Sequence, residues 1–289
     1  MKPAPFDYTP AATTAEAVAA LAQHGDDAKI LAGGQSLVPM LNLRLARPAM
    51  LVDINGATEL DYLREAGGRV HVGALRRQAA VARWAATQLP LMAEALRHVG
   101  HTAIRNRGTV VGSVAHADPA SELPALLLCL DGEVVARGPQ GERAIAAGAL
   151  YRAPLTTSLR ADELVTEARF SLPRPEAGWG FAEVARRHGD FALVGAAALL
   201  WQDAAGRAAG VRLAFFGVGG TPVRGAAAEA ALTGQPVTEA GVRAAARAAA
   251  AALRPEGDLH ASARYRQDVA AVLAERTLMD AVRRCRRAA

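Results

Sequence analysis

A chain of 289 residues that is 51% apolar and 21% charged is an ordinary globular composition with room for two domains. No apolar run approaches the roughly 18–20 residues of a membrane-spanning helix, the opening eight residues lack a signal peptide's apolar stretch, and Cys129 and Cys285 are too few for a disulfide framework, a structural zinc site or an iron–sulfur cluster, so a cytoplasmic location is expected. The formal charge of +5 comes mostly from scattered arginines, its densest cluster (Arg283, Arg284, Arg286, Arg287) reads as a solvated helix end, and aromatic residues at 4% give no stacking platform, which sets nucleic acid aside.

In chain order, the first 55 residues alternate helix and strand. Thr13 and Glu16 stand at capping-box spacing ahead of the stripe Val18, Leu21 and Ala22, which predicts a helix. A strand over 29–32 runs into Gly33-Gly34, a helical turn follows at 40–46, and a strand covers 50–54. Gly67-Gly68, between 62–65 and 69–72, is a hairpin signature. Helices are expected over 78–86 and 90–99, a loop over 100–112, and a helix over 122–130 beyond Pro119. Strands at 133–136 and 164–170 follow, and the proline-bearing run 172–178 is the best linker candidate. Beyond it, 181–186, 194–201 and 211–217 read as three antiparallel strands, with a turn at 203–206. The alanine-rich remainder predicts helices over 225–232, 239–253 and 262–284.

Two loops carry the chemistry. In Ala32-Gly33-Gly34-Gln35-Ser36-Leu37 a strand delivers two glycines, where backbone N–H groups can converge on an anion such as a diphosphate, and Gln35 and Ser36 add side-chain donors. A plain tight turn is the other reading of the same glycines. The second loop, 106–122, groups Thr109, Gly112 and Ser113, and ends at Glu122. That glutamate suits a ribose hydroxyl as a two-fold acceptor, or is a first-turn residue favoured by the helix dipole. The chain has no GxxxxGK[ST], so it is not a P-loop NTPase, and no GxGxxG after the strand, so it is not a Rossmann dinucleotide site.

The two motifs together, with Ala115-His116-Ala117-Asp118-Pro119-Ala120-Ser121-Glu122-Leu123-Pro124, resemble the FAD-binding medium subunit of the molybdenum hydroxylases, a family that includes aerobic carbon monoxide dehydrogenase and bacterial xanthine dehydrogenases. The similarity continues in order through 186–192, 217–224 and 258–266. It implies that Ala32, Gly33, Gly34, Gln35, Ser36 and Leu37 wrap the FAD diphosphate, and that Thr109, Gly112 and Ser113 hold its other side with Ala115 nearby. It implies also that Glu122 lies near the ribose, that Val165 touches the isoalloxazine ring and that Phe191 covers the flavin face. Val111, where the family usually has a second glycine, is a departure expected to narrow the loop.

The resemblance further implies an α+β fold. An FAD-binding domain over 1–176 would comprise a small βαβ lobe to about 55 and a mainly antiparallel lobe over 56–176. A C-terminal domain over 177–289 would hold a three-stranded antiparallel sheet and helices. The implied function is electron transfer: substrate is oxidised at a molybdenum cofactor on a large subunit, and electrons cross iron–sulfur clusters on a small subunit to this flavin. They leave for a quinone, NAD or oxygen. No general acid or base is expected in this chain, and His101 and His116 read as structural. Two alternatives stand beside it: a self-contained flavin oxidase or reductase, and a non-catalytic assembly subunit.

Overall fold

A computed structural model of the chain describes residues 2–285; Arg286 and Arg287 of the basic cluster lie outside them. The first unit contains β1 (Asp7–Pro10), α1 (Thr14–His24), β2 (Ala28–Leu31), α2 (Leu37–Asn42) and β3 (Met50–Asp53), with a parallel sheet in the order β1-β3-β2. The capping box forms as its spacing requires. Thr13 Oγ1 accepts the Glu16 N–H at 3.2 Å, and Glu16 Oε2 accepts the Ala12 N–H at 2.7 Å, a stabilisation of about 1 kcal/mol. β1 has no counterpart in the sequence reading, because its four residues are mostly exposed and end in proline, leaving no apolar alternation to see.

The second unit begins with the expected hairpin, β4 (Leu63–Ala66) and β5 (Arg69–Gly73), followed by α3 (Gln78–Gln88) and α4 (Pro90–His98). The stretch expected as a loop instead holds α5 (Thr102–Arg107) and α6 (Val110–His116). Glycines at 100, 108 and 112 disguise these short helices: Gly100 lies ahead of α5, Gly108 caps its end, and Gly112 lies inside α6. Then come α7 (Glu122–Cys129), β6 (Glu133–Gly138), β7 (Gly141–Ala146), α8 (Ala147–Leu150), the hairpin β8 (Tyr151–Ala153) and β9 (Thr156–Thr157), and β10 (Leu164–Ser171). The sheet runs β4-β5-β10-β6-β7, antiparallel at every step. The mostly exposed β7 also escaped the sequence reading.

The last unit is β11 (Gly178–Ala185), β12 (Ala192–Gln202), β13 (Ala208–Phe216) and β14 (Val223–Arg224), then α9 (Ala226–Leu232), α10 (Glu239–Ala252) and α11 (Ala263–Arg284). Its antiparallel sheet has four strands rather than the three expected, because two-residue β14 pairs with Ala214 and Phe215. β12 carries no polar side chain before its last residue, Gln202, because both of its faces are covered. Val194, Ala196, Ala198 and Leu200 join the core under α9, α10 and α11, whereas Ala197 and Leu199 join the larger core that contains α7. All eight residues of α7 are buried; the helix packs between β12–β13 and the helices α4 and α6, which carries its first residue, Glu122, to a fixed place.

Candidate functional site

The first loop leaves β2 at Leu31 and enters α2 at Leu37. Gly34 takes φ 72°, a left-handed conformation that favours glycine. The Gln35 amide folds back, its Nε2 donating to Gly33 O at 3.0 Å, so this expected donor to a ligand is already engaged within its own loop. Among the described residues, the N–H groups of residues 33–37 donate to no backbone acceptor, and Ser36 makes no capping bond. Five unpartnered amides in succession are a donor set for an anion.

The second loop is organised differently. Thr109 caps α6, its Oγ1 accepting the Gly112 N–H at 2.9 Å. The Val110 N–H donates to Arg76 O at 3.3 Å and the Ser113 N–H to Thr109 O at 3.2 Å. Main-chain donors at 110, 112 and 113 are therefore already bonded, and the Thr109 hydroxyl serves the helix. What this loop offers a ligand is the Ser113 side chain, the N–H groups of Thr109 and Val111, which donate to no acceptor among the described residues, and a close-packed backing.

The loops meet backbone to backbone. A Cβ built on Gly33 would stand 2.5 Å from Arg107 O and 2.8 Å from Gly108 Cα, so a side chain there would force the loops apart. Between them opens a cleft of about 750 Å³, within the range of cofactor sites. Every position expected from the sequence lines it: Ala32, Gly33, Gly34, Gln35, Ser36 and Leu37 on one side, Thr109, Gly112, Ser113 and Ala115 on another, with Glu122, Val165 and Phe191. Val165 is buried on β10, whereas Phe191 is 59% exposed on the β11–β12 loop, so it stands at the rim. Val111 is packed into the larger core and also touches the cleft. Further walls were not foreseen: Leu155, Thr156 and Thr157 of the β8–β9 hairpin, His101, and Gln78. Such residues carry no motif, and only the fold gathers them.

The electrostatics amend one expectation. Glu122 is 5% exposed, and burial, reinforced by the negative charge of Glu183, pushes its carboxyl up to about 8. At neutral pH the protonated form therefore predominates, a carboxyl able to donate one hydrogen bond and accept through its other oxygen, where a doubly accepting carboxylate was expected. Burial holds His116 below the usual histidine range, hence uncharged at pH 7. His98 is held above it, chiefly by its hydrogen bond with Glu183, at 3.2 Å.

These features fit FAD. Residues 32–37 and 108–115 contain no carboxylate that would repel a diphosphate. Buried Gln78 Oε1 has no hydrogen-bond partner within the protein and stands at the cleft, an acceptor available to a ligand donor. Leu159, Leu164 and Val165 supply apolar wall for a ring system.

The comparisons with known proteins agree. Residues 4–175 match the family described as the FAD binding domain in molybdopterin dehydrogenase, and residues 179–281 match the CO dehydrogenase flavoprotein C-terminal domain. The chain is 42% identical over 288 residues to 6-hydroxypseudooxynicotine dehydrogenase complex subunit alpha of Paenarthrobacter nicotinovorans, covering 99% of this chain and 97% of that one. It is 40% identical over 258 residues to the nicotine 6-hydroxylase medium subunit of the same organism, covering 89% and 90%. A solved structure of carbon monoxide dehydrogenase from Hydrogenophaga pseudoflava, in a form lacking the Mo-pyranopterin moiety, superposes with a TM-score of 0.95 at 38% identity, covering 99% of this chain and 100% of that chain. With the α+β architecture and the amide-lined cleft, these matches show that the chain belongs to the FAD-binding medium subunits of the molybdenum hydroxylases, the flavoprotein component of an oxidoreductase.

Proposed function

We infer that the chain is the flavin stage of a cytoplasmic molybdenum hydroxylase assembly. It would receive electrons from iron–sulfur clusters on a small subunit and release them to a quinone, NAD or oxygen, while substrate is oxidised at a molybdenum cofactor on a large subunit. One observation carries the reading: thirteen positions from separate stretches of sequence converge on one cleft, in a chain matched along its length by subunits of dehydrogenase complexes. FAD supplies a centre able to exchange electrons singly or in pairs; the chain binds, orients and shields it. The free amides of 33–37, helped by the Ser36 and Ser113 hydroxyls, take the diphosphate, with Ala32 and Leu37 bounding the loop. Thr109, Gly112 and Ala115 back the opposite side. Neutral Glu122 donates one hydrogen bond to a ribose hydroxyl and accepts another. Val165 would supply apolar wall to the isoalloxazine ring, and Phe191, at the rim, would limit the access of an acceptor. Two cysteines are too few to ligate a cluster, so the clusters that feed this flavin would sit on another chain.

The test is to isolate the native assembly and record its visible spectrum and its subunits. Flavin absorbance together with a large molybdenum-containing chain and a small iron–sulfur chain is the expected result. A colourless assembly overturns the flavin reading. Turnover of a small donor by this chain alone overturns the electron-relay reading in favour of a self-contained oxidase.

A further inference from the structure

The glycine loops are joined by two side chains that no motif singles out and that do not line the cleft. Asn55 follows β3, and its Nδ2 donates to Ala32 O, at the head of the first loop, at 2.9 Å. Arg77 immediately precedes α3. Its Nη2 donates to Asn55 Oδ1 at 2.6 Å and its Nη1 to Arg107 O, at the head of the second loop, at 2.8 Å. The bonds form one line from Ala32 O through Asn55 and Arg77 to Arg107 O. The same Arg107 O is the atom that a Gly33 Cβ would strike.

Both ends of this line are anchored. Asp53 Oδ1 accepts from the Asn55 N–H at 2.9 Å and from Asn55 Nδ2 at 2.6 Å, which fixes which way the amide faces. Asp53 Oδ2 in turn accepts from Tyr8 OH at 2.7 Å. The main chain at Arg77 bridges antiparallel to Thr109, flanked by Gln78 N–H to Gly108 O at 2.9 Å and Val110 N–H to Arg76 O. Arg77 therefore holds the second loop by its backbone and reaches the first through Asn55. The planar guanidinium serves both acceptors at once, Asn55 Oδ1 through Nη2 and Arg107 O through Nη1.

We propose that Asn55 and Arg77 are positioning residues for the flavin site, a two-residue strut that sets the separation of the loops between which the diphosphate rests. The proposal deepens the flavin reading and rests on it. The strut acts through Ala32 and Arg107 and touches no cofactor atom.

The test is a double-mutant cycle on FAD affinity in the full chain, freed of flavin and titrated with FAD, with thermal unfolding recorded for each apo variant. Asn55→Ala and Arg77→Ala should each weaken FAD binding about tenfold, the size of one lost charge-assisted bond at a rigid site. Asn55→Ala/Arg77→Ala should bind no more weakly than the worse single variant, because either change breaks the line. Arg77→Lys keeps the charge but offers its donors from a single nitrogen in place of the planar fork, and should fall between wild type and Arg77→Ala. Should Arg77→Ala fail to fold, Arg77→Gln replaces it in the cycle. Losses that simply multiply, or Arg77→Lys binding like wild type, would overturn the strut, the latter by showing that charge alone acts. Variants with wild-type affinity would overturn it too. A wild-type chain that takes up no FAD would overturn the flavin reading itself, which separates the two failures.

Discussion

Gly33 and Ser36 share a loop, yet their substitutions should fail in different ways. Gly33→Ala places a methyl against the main chain of Arg107 and Gly108, which cannot yield as a side-chain tip would. It should cost about 1–3 kcal/mol of stability and weaken FAD binding as well. Ser36 makes no capping bond, so Ser36→Ala should leave the denaturation midpoint unchanged while weakening FAD binding by about 1–2 kcal/mol. Paired urea unfolding and FAD titration check both, and a stability loss at Ser36 would contradict the assignment. Glu122 sets a pH dependence. Its carboxyl loses its proton near 4.5 when unfolded but only at about 8 when folded, so the folded state binds the extra proton in between and stability falls as pH rises through that window. Glu122→Gln keeps the shape without the ionisation and should flatten the profile. The comparison with Glu122→Gln isolates this slope, because the loss from His98 above 6.5, where its folded pKa is raised, and the opposing gain from His116 below 6.5, where its folded pKa is lowered, are present in both proteins. Parallel profiles for wild type and Glu122→Gln would show that the acid is not held neutral. Nothing in the sequence announced this: Glu122 looks like any first-turn glutamate, and the Glu183 charge that reinforces its shift lies on β11, about sixty residues further on.

At the scale of elements, local signals were legible and remote ones were not. The capping box of α1, the Gly67-Gly68 hairpin and the alanine-rich helices depend on neighbouring residues, and all appear where expected. β1, β7 and β14 are short edge strands whose only justification is a partner strand, so no internal periodicity marks them. The glycines and short polar residues of the two loops were readable because they crowd into motifs and Val165 and Phe191 were named only through the family resemblance, whereas Asn55 and Arg77 are ordinary residues that meet only through the fold. The C-terminal motif around Arg266 belongs to an anchor. The Arg266 guanidinium is buried, donates to Leu193 O and, at 2.8 Å, to Gly217 O, and pairs with Asp258 at 2.6 Å. It ties α11 to the start of β12 and to the residue after β13. Arg266→Leu should cost about 3 kcal/mol, since two carbonyls and a carboxylate lose one charged donor. Chemical denaturation measures this, and a loss under about 1 kcal/mol would mean that the anchor is dispensable.

Across the whole molecule, the proline-bearing run at 172–178 marks a change of sheet without a break in the core. Phe181, Ala197, Leu199 and Phe216 from beyond it are buried in the same cluster as Leu123 and Leu126 of α7, and the Gly217 N–H donates to Pro119 O at 2.8 Å. We therefore expect units divided near 176 to unfold together, in one calorimetric transition, because separating them would expose the apolar face of β12. Two resolved transitions would refute that coupling. The same continuity holds Phe191 and Glu122, which come from opposite sides of the run, around one cleft. The most direct examination of the flavin site is an experimentally determined structure of the FAD-loaded chain. The account predicts one FAD with its diphosphate against the amides of 33–37, backed by 109–113, and its ribose beside Glu122. A diphosphate seated elsewhere, or bound with those amides facing solvent, would contradict it.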